Sequence, residues 1–180
     1  MAKENPLASN LTLEQQKNLF GNAYLNMLWH CPTDQRFPYW VHLPDCYYDE
    51  KDPHYKLLVI IHGTGCAVED YVRHAKELAD RDHVAVLAPL FPGGLIQRDD
   101  FNSYKLLSCD GVRYDQILLD MIDDMAKRYP GVETDKFFLF GHSGGGQFVN
   151  RFLFAHPEKL RACAIGAPGR PTFLNPDEDY

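Results

Sequence analysis

The sequence predicts an α/β fold in which a mostly parallel sheet carries helices on both faces. Two observations support this prediction: continuous apolar runs of strand length recur along the chain, and amphipathic segments of helical length separate them. A strand that is apolar at successive positions, rather than at alternate ones, is typical of a parallel sheet covered on both sides. The alternation of strand and helix then requires right-handed crossover connections.

The first part of the chain precedes this alternating pattern. Residues 11–25 predict a short helix with Thr12 as a candidate cap, and residues 26–30 and 39–43 predict two strands of a hairpin. The alternating part follows, and the whole chain of 180 residues suits one domain, 1–180. Its predicted strands are 56–61, 84–91, 136–140 and 161–166, and its predicted helices surround 68–79, 114–129 and 148–153.

Composition excludes several classes of partner. The net charge is −7, whereas nucleic acids and anionic membranes require a basic surface. The polar N-terminus lacks the apolar core of a signal peptide, and no run approaches the ~20 apolar residues of a membrane span. We therefore expect a cytoplasmic protein without a nucleic-acid or membrane partner. The five cysteines form no CxxC pair, so no metal site is expected.

The stretch FFLFGHSGGGQF contains the most informative motif, because Gly141, Ser143 and Gly145 match G-x-S-x-G directly after a predicted strand. This motif is typical of an abrupt strand-to-helix turn that exposes one side chain in a strained backbone conformation. A β-carbon at either flanking position would collide across the turn, so glycine is required at both. Ser143 is the candidate nucleophile. The alternative is that Ser143 only caps a helix in a glycine-rich turn.

A second motif, HGTG at residues 62–65, ends an earlier predicted strand. A loop at that place is expected to contribute to an oxyanion hole, the set of N–H groups that stabilises a developing negative charge. We predict that the backbone N–H groups of Thr64 and Gly144 form it. For HGTG, the alternative is an ordinary tight turn.

With IIHGTG, VLAPLFPGG, FFLFGHSGGGQFVNRF and AIGAPG in this order, the chain resembles an α/β-hydrolase. Within that superfamily it resembles serine esterases of the poly(3-hydroxybutyrate)-depolymerase and feruloyl-esterase types, over roughly residues 39–169. The resemblance implies attack by Ser143 on a small-molecule ester, an acyl-enzyme, and hydrolysis by water. It implies no cofactor and no metal.

The resemblance also implies an acid and then a histidine after the nucleophile, and this chain does not supply them. All eight histidines lie before the end of the predicted strand at 161–166. The acid and histidine of the triad are therefore expected to be absent, and the fold is expected to be truncated after the sixth strand. His62, His142 and the acids Asp177, Glu178 and Asp179 are weaker candidates for these roles. We expect an exposed sheet edge that favours self-association.

A long stretch, residues 91–110, is predicted to be an irregular loop that rims the site. Phe91 and Tyr104 are candidate substrate contacts, and local packing of the loop is the alternative. Asp110, Arg113 and Asp115 are expected to anchor the loop and the following helix. Taken together, the sequence predicts a serine esterase with little turnover as this chain. Two alternatives stay open: a non-catalytic or degenerate relative with a binding role, and a peptidase or thioesterase of the same fold.

Overall fold

The computed structural model describes residues 26–47 and 54–173. The predicted helix at 11–25 and the candidate acids Asp177, Glu178 and Asp179 lie outside them. The strands of the described chain are β1 (Asn26–His30), β2 (Pro38–His42), β3 (Tyr55–Ile61), β4 (Val84–Pro89), β5 (Ser108–Cys109), β6 (Val112–Arg113), β7 (Val132–His142) and β8 (Leu160–Gly166). The helices are α1 (Val68–Asp82), α2 (Tyr114–Arg128) and α3 (Gly144–Ala155).

Six of these strands form one sheet in the order β1-β2-β4-β3-β7-β8. Strands β1 and β2 pair antiparallel, which confirms the predicted hairpin, and β2 also pairs antiparallel with β4. The pairs β4–β3, β3–β7 and β7–β8 are parallel. The mostly parallel sheet is therefore confirmed. Parallel strands point their carboxyl ends to one edge, so the loops after β3, β4 and β7 meet there.

Helices cover both faces of the sheet, as the sequence predicts. One face packs on α1 through a small apolar cluster that includes Ile60, Val72 and Val86. The larger core lies on the other face, beneath α2 and α3, and includes Leu118, Phe148 and Phe152. Each helix buries one apolar stripe, which explains the helical spacing of these residues in the sequence.

The rim segment differs from the irregular loop that was predicted. It contains a short 3-10 helix, Ser103–Leu106, and runs into the hairpin of β5 and β6. Asp100 holds the start of this 3-10 helix, because its carboxylate accepts hydrogen bonds from the backbone N–H groups of Asn102 and Ser103. Carboxylate turns of this kind have no hydrophobic period, so sequence periodicity does not reveal them.

Strand β8 is the last strand of the sheet and pairs only with β7 among the described residues. Its exposed positions include Ala162 and Ala164. An unpaired strand edge presents free backbone donors and acceptors. Self-association through this edge stays a prediction.

Candidate active site

Ser143 lies at the point where β7 turns directly into α3. Its backbone angles are φ 56° and ψ −115°, a conformation that residues with a β-carbon adopt at a cost of about 1–3 kcal/mol. The side chain is exposed, and among the described residues no group hydrogen-bonds its hydroxyl. The turn therefore holds a solvent-facing hydroxyl at the carboxyl edge of the sheet.

The two flanking glycines are required by close backbone contacts. A β-carbon on Gly141 would overlap the carbonyl of Gly145, and one on Gly145 would overlap the carbonyl of Ile61 at the end of β3. Both obstacles are backbone atoms, so no side-chain rearrangement relieves the overlap. Glycine is therefore required at both positions, by the predicted collision across the turn at Gly141 and by the end of β3 at Gly145.

The HGTG loop lies directly beside the turn. A β-carbon on Gly63 would be 3.9 Å from the β-carbon of Ser143, and one on Gly144 would be 3.0 Å from the hydroxyl of Thr64. Within the described chain, the N–H groups of Thr64 and Gly144 donate to no other group. The first N–H groups of a helix have no partner inside it, and they carry its positive end.

Lys105 adds a cation that sequence reasoning missed. The 3-10 helix inserts it beneath the HGTG loop, where its Nζ donates to the hydroxyl of Thr64 at 2.8 Å and to Oδ1 of Asn102 at 2.7 Å. The residue is only 6% exposed, and burial lowers the pKa of its ammonium group. Its Cε would be 2.7 Å from a β-carbon on Gly144. A positive charge therefore lies beside the Thr64 hydroxyl, and the side chain that carries it passes close to Gly144.

The two aromatic residues predicted to contact substrate are buried. Phe91 is 1% exposed and stacks on Phe148, with ring centroids 5.5 Å apart. Tyr104 stacks on Phe91, and its hydroxyl donates to the carbonyl of His62 at 3.1 Å. The Phe91 ring packs in the core of this structure, because it has almost no exposed surface, and its contact with substrate stays a prediction. Tyr104 supports the HGTG loop from below, and its hydroxyl lies beside Gly144.

Comparison with known proteins rests on three-dimensional structure. No protein-family model matches the sequence, and no curated protein matches it closely. Among solved structures, the poly(3-hydroxybutyrate) depolymerase LpqC from Bordetella parapertussis matches with a TM-score of 0.70 and 19% identity, over 96% of this chain and 61% of that one. The poly(aspartic acid) hydrolase-1 from Sphingomonas sp. KT-1 matches with a TM-score of 0.65 and 19% identity, over 86% of this chain and 60% of that one. The S-formylglutathione hydrolase FrmB from Staphylococcus aureus matches with a TM-score of 0.61 and 21% identity, over 78% and 56%.

The chain has the α/β-hydrolase fold. It spans about 60% of the length of the first two solved structures. The expected fold class is therefore confirmed, and the strand order places Ser143 at the carboxyl edge where open α/β sheets bind ligands.

Within this α/β-hydrolase fold, His62 does not offer a free base to Ser143. Both ring nitrogens have partners: Nδ1 donates to the carbonyl of Gly63 at 2.7 Å, and Nε2 accepts from the backbone N–H of Phe91 at 3.0 Å. Burial lowers the pKa of the imidazole, which keeps it neutral. His62 is therefore a structural residue that ties the HGTG loop to the loop after β4.

The other seven histidines are also engaged elsewhere or point elsewhere. His142 is exposed, and its ring approaches Gly166 at the end of β8. His156 bonds the carboxylate of Asp115 at 2.9 Å behind α3. The partners of the others are Gln35 for His30, Asn26 and Asp80 for His42, Asp70 for His74 and Cys46 for His83, while His54 precedes β3 at the opposite edge. None of the eight hydrogen-bonds Ser143, and all eight lie within the described chain.

Two cavities of the protein lie at different distances from Ser143. A cavity of about 660 Å³ lies at the amino ends of β3 and β7, far from the turn, and includes His54 and Thr134 in its lining. A cavity of about 500 Å³ lies between the rim segment and α3, and Lys105 lines it. Only the second cavity adjoins the candidate site.

Over residues 26–47 and 54–173, no helix has the length and apolarity needed to cross a bilayer. In the same ranges, no three histidine, cysteine or acidic side chains converge as a metal site would require.

Proposed function

We propose that this protein is a serine hydrolase that cleaves carboxylic esters through an acyl-enzyme on Ser143. The observation that carries the proposal is the backbone of Ser143, with φ 56° at a strand-to-helix turn and an exposed side chain. Strain of this kind persists only where the surrounding structure enforces it, and it is concentrated at functional sites. The fold of esterase and hydrolase structures supports the same conclusion.

In the proposed reaction, the Ser143 oxygen attacks the ester carbonyl carbon and its proton passes to a base. The carbonyl oxygen becomes an oxyanion that accepts hydrogen bonds from the N–H groups of Thr64 and Gly144. When the tetrahedral intermediate collapses, the bond to the leaving alcohol breaks and an acyl-serine remains. Water then attacks this acyl group, which releases the acid and restores the hydroxyl.

Lys105 is a positioning residue in this proposal. Its ammonium group bonds the hydroxyl of Thr64 at 2.8 Å and so orients the loop that carries the Thr64 N–H. A charge in a partly desolvated site also stabilises a nearby oxyanion more strongly than it would in water.

The described residues provide no group that could accept the proton of Ser143. Because none of the eight histidines reaches Ser143, we expect slow acylation and still slower deacylation by this chain. Triad members act as a unit, so loss of the base removes most of the rate. An acyl adduct should therefore accumulate instead of turning over.

The experiment is intact-protein mass spectrometry after exposure to p-nitrophenyl acetate, with and without added imidazole as an external base. We expect one acetyl group on Ser143, formed faster with imidazole, and no adduct in the Ser143→Ala variant. A fluorophosphonate probe should label Ser143 with the same dependence. An adduct that forms equally in the Ser143→Ala variant, or no adduct with either reagent, would contradict the proposal.

A non-catalytic role is the second candidate, and the unpartnered hydroxyl of Ser143 favours it. It predicts no labelling of Ser143 by the fluorophosphonate under any condition. Peptide or thioester cleavage is a variation of the first proposal, because the mechanism is the same and only the leaving group changes. A panel of p-nitrophenyl esters, thioesters and anilides, compared by the rate of Ser143 acylation, separates these substrates.

A further inference from the structure

The cavity of about 500 Å³ beside the candidate site has an unusual lining. Three of its seven lining residues are cations and none is an acid, although the chain carries a net charge of −7. The lining consists of Asn102, Lys105, Leu106, Gln147, Arg151, Gly169 and Arg170. The sign of the charge in this cavity is therefore opposite to that of the protein as a whole.

None of the cations of this cavity forms an ion pair with a carboxylate, although the Asp100 carboxylate, more than 4.0 Å away, interacts electrostatically with Lys105. Lys105 donates only to the neutral oxygens of Thr64 and Asn102. The guanidinium group of Arg151 donates to three backbone carbonyls, those of Lys105 at 2.9 Å, Gln147 at 3.2 Å and Arg170 at 3.2 Å. Within the described chain, no carboxylate oxygen lies within 4.0 Å of Lys105, Arg151 or Arg170.

Two of these cations are also partly withdrawn from water. Burial lowers the pKa values of both Lys105 and Arg151, because a charge loses hydration when it is enclosed by protein. Each retains unused donors: one N–H of the ammonium group, and the Nε–H and one Nη2–H of the guanidinium group. Unpaired cations with free donors in a cavity are the arrangement that binds carboxylate or phosphate groups.

Helix α3 connects the cavity to the nucleophile. Gln147 and Arg151 follow Ser143 at i+4 and i+8, so the three lie along one face, and the backbone N–H of Gln147 donates to the Ser143 carbonyl at 3.1 Å. A rise of 1.5 Å per residue puts Gln147 about 6 Å and Arg151 about 12 Å along the helix from Ser143. At about 1.2 Å per bond of extended chain, this span corresponds to roughly five to ten bonds.

We infer that this cavity binds an anionic group of the substrate, a carboxylate or a phosphate about five to ten bonds from the scissile carbonyl. Arg151 and Lys105 contact the anion, and Arg170 closes the outer side. That the bound anion is part of a substrate rests on the proposed function. Anion binding itself does not depend on whether Ser143 reacts, so the two can fail separately.

The test measures binding of two inert anions, glutarate and inorganic phosphate, to the chain by isothermal titration calorimetry at low salt. Glutaramide, the neutral diamide of the same length, is the ligand control. We expect both anions to bind and glutaramide not to bind. Removing one contacting charge should weaken binding about 5- to 10-fold.

The protein variants are Arg151→Gln and Arg170→Gln, with Arg151→Lys retaining the charge. Arg170→Gln is included because Arg170 is exposed and its side chain has no hydrogen bond within the described chain, so the substitution removes no internal hydrogen bond. The matched control is Arg161→Gln, an exposed arginine on β8 that pairs with Glu133 at 3.0 Å. We expect weaker binding in both glutamine variants at residues 151 and 170, near-normal binding in Arg151→Lys, and no change in Arg161→Gln.

Three outcomes overturn the inference: no binding of either anion, equal binding of glutaramide, or an equal loss of binding in Arg161→Gln. Labelling of Ser143 by the fluorophosphonate distinguishes this failure from failure of the proposed function. Glutarate should slow the labelling of the parent chain and not that of Arg151→Gln. If Ser143 is labelled but neither anion binds, the anion site is refuted and the proposed function stands. If the anions bind but Ser143 is not labelled, the proposed function is refuted and the anion site stands.

Discussion

The Nε2 atom of His62 accepts a hydrogen bond from the backbone N–H of Phe91 at 3.0 Å. This contact joins the loop after β3 to the loop after β4, and the Nδ1–H of the same ring donates to the carbonyl of Gly63 at 2.7 Å. The imidazole must stay neutral to accept the Phe91 bond. Burial, together with the nearby Lys105 ammonium group, lowers the pKa of His62 and favours this neutral form.

The first prediction is a pH dependence of stability that involves His62. The pKa of its ring is lower in the folded protein than the usual 6.5, so the unfolded chain binds the extra proton first. The free energy of unfolding should therefore be highest above about pH 6.5 and should fall as the pH drops toward the folded pKa. Urea unfolding at pH 7.5 and 5.5 measures this fall.

In the His62→Gln variant the fall should be smaller, although His42, whose pKa burial also lowers, still contributes. The matched control is His74→Gln, because His74 is exposed on α1. Its free energy of unfolding should decrease between pH 7.5 and 5.5 by as much as that of the unsubstituted protein. An unchanged pH dependence in His62→Gln would show that its ring does not respond to burial in this way.

The second prediction compares two glycines of the site. Gly145→Ala places a β-carbon onto the carbonyls of Ile61 and His62, whereas a β-carbon on Gly65 meets nothing within 4 Å. Overpacking against backbone should lower the free energy of unfolding by about 2 kcal/mol or more, and Gly65→Ala should change it by less than about 0.5 kcal/mol. Urea unfolding of the two variants checks the difference, and equal stabilities would contradict the proposed tight contact.

The third prediction concerns the strained backbone of Ser143 at φ 56°. Glycine tolerates positive φ, whereas alanine does not. The Ser143→Gly variant should therefore be about 1 kcal/mol more stable than Ser143→Ala, and neither should react with a fluorophosphonate. Thermal unfolding and labelling of both variants provide the measurement. A Ser143→Gly variant that is less stable than Ser143→Ala would show that the backbone is not strained.

The fourth prediction concerns Asp115, which is 2% exposed at the start of α2. Burial alone raises the pKa of its carboxyl group, but hydrogen bonds from Arg113 and His156 outweigh burial and lower the pKa to about 2. A folded pKa below the unfolded one adds stability above about pH 4, and this stability is lost as the pH falls toward 2.

Asp115→Asn should therefore lower the free energy of unfolding at pH 7 by about 2 kcal/mol and reduce its fall between pH 4 and 2. The exposed Asp123, on the same helix, provides the control variant Asp123→Asn, with an expected change below about 0.5 kcal/mol. Denaturant unfolding across this pH range measures both. A stability of Asp115→Asn equal to that of Asp123→Asn would refute the role of the Arg113 and His156 bonds.

The fold was predictable because its signals are local. The run at β3, the helical spacing in α1 and α2, and the glycines around Ser143 each act over a few residues. Hydrophobic period and steric demand at a turn are short-range properties, so they are visible in the sequence. The structure extends some of these elements, as in β7, which begins at Val132, and shortens others, as in β4, which ends at Pro89 rather than at residue 91. Every predicted strand and helix within the described residues is present.

The rim segment and the cations were not predictable in the same way. Lys105 meets Thr64 across 41 residues, and Arg151 meets the carbonyl of Lys105 across 46. Long charged side chains are usually solvated, so the sequence contains no signal that these two are enclosed. The spacing of Ser143, Gln147 and Arg151 indicates only that these three residues share one helix face, not that Arg151 is enclosed.

The amino-acid sequence was sufficient to predict the strands of the main sheet, the helices between them and the turn that exposes Ser143. Which groups surround that serine depended on contacts between distant segments: the His62–Phe91 hydrogen bond, the burial of Phe91, and Lys105 beneath Thr64. Local patterns define elements because backbone geometry repeats over a few residues. The chemistry of a site depends on the packing of several elements together, and only three-dimensional coordinates contain that information.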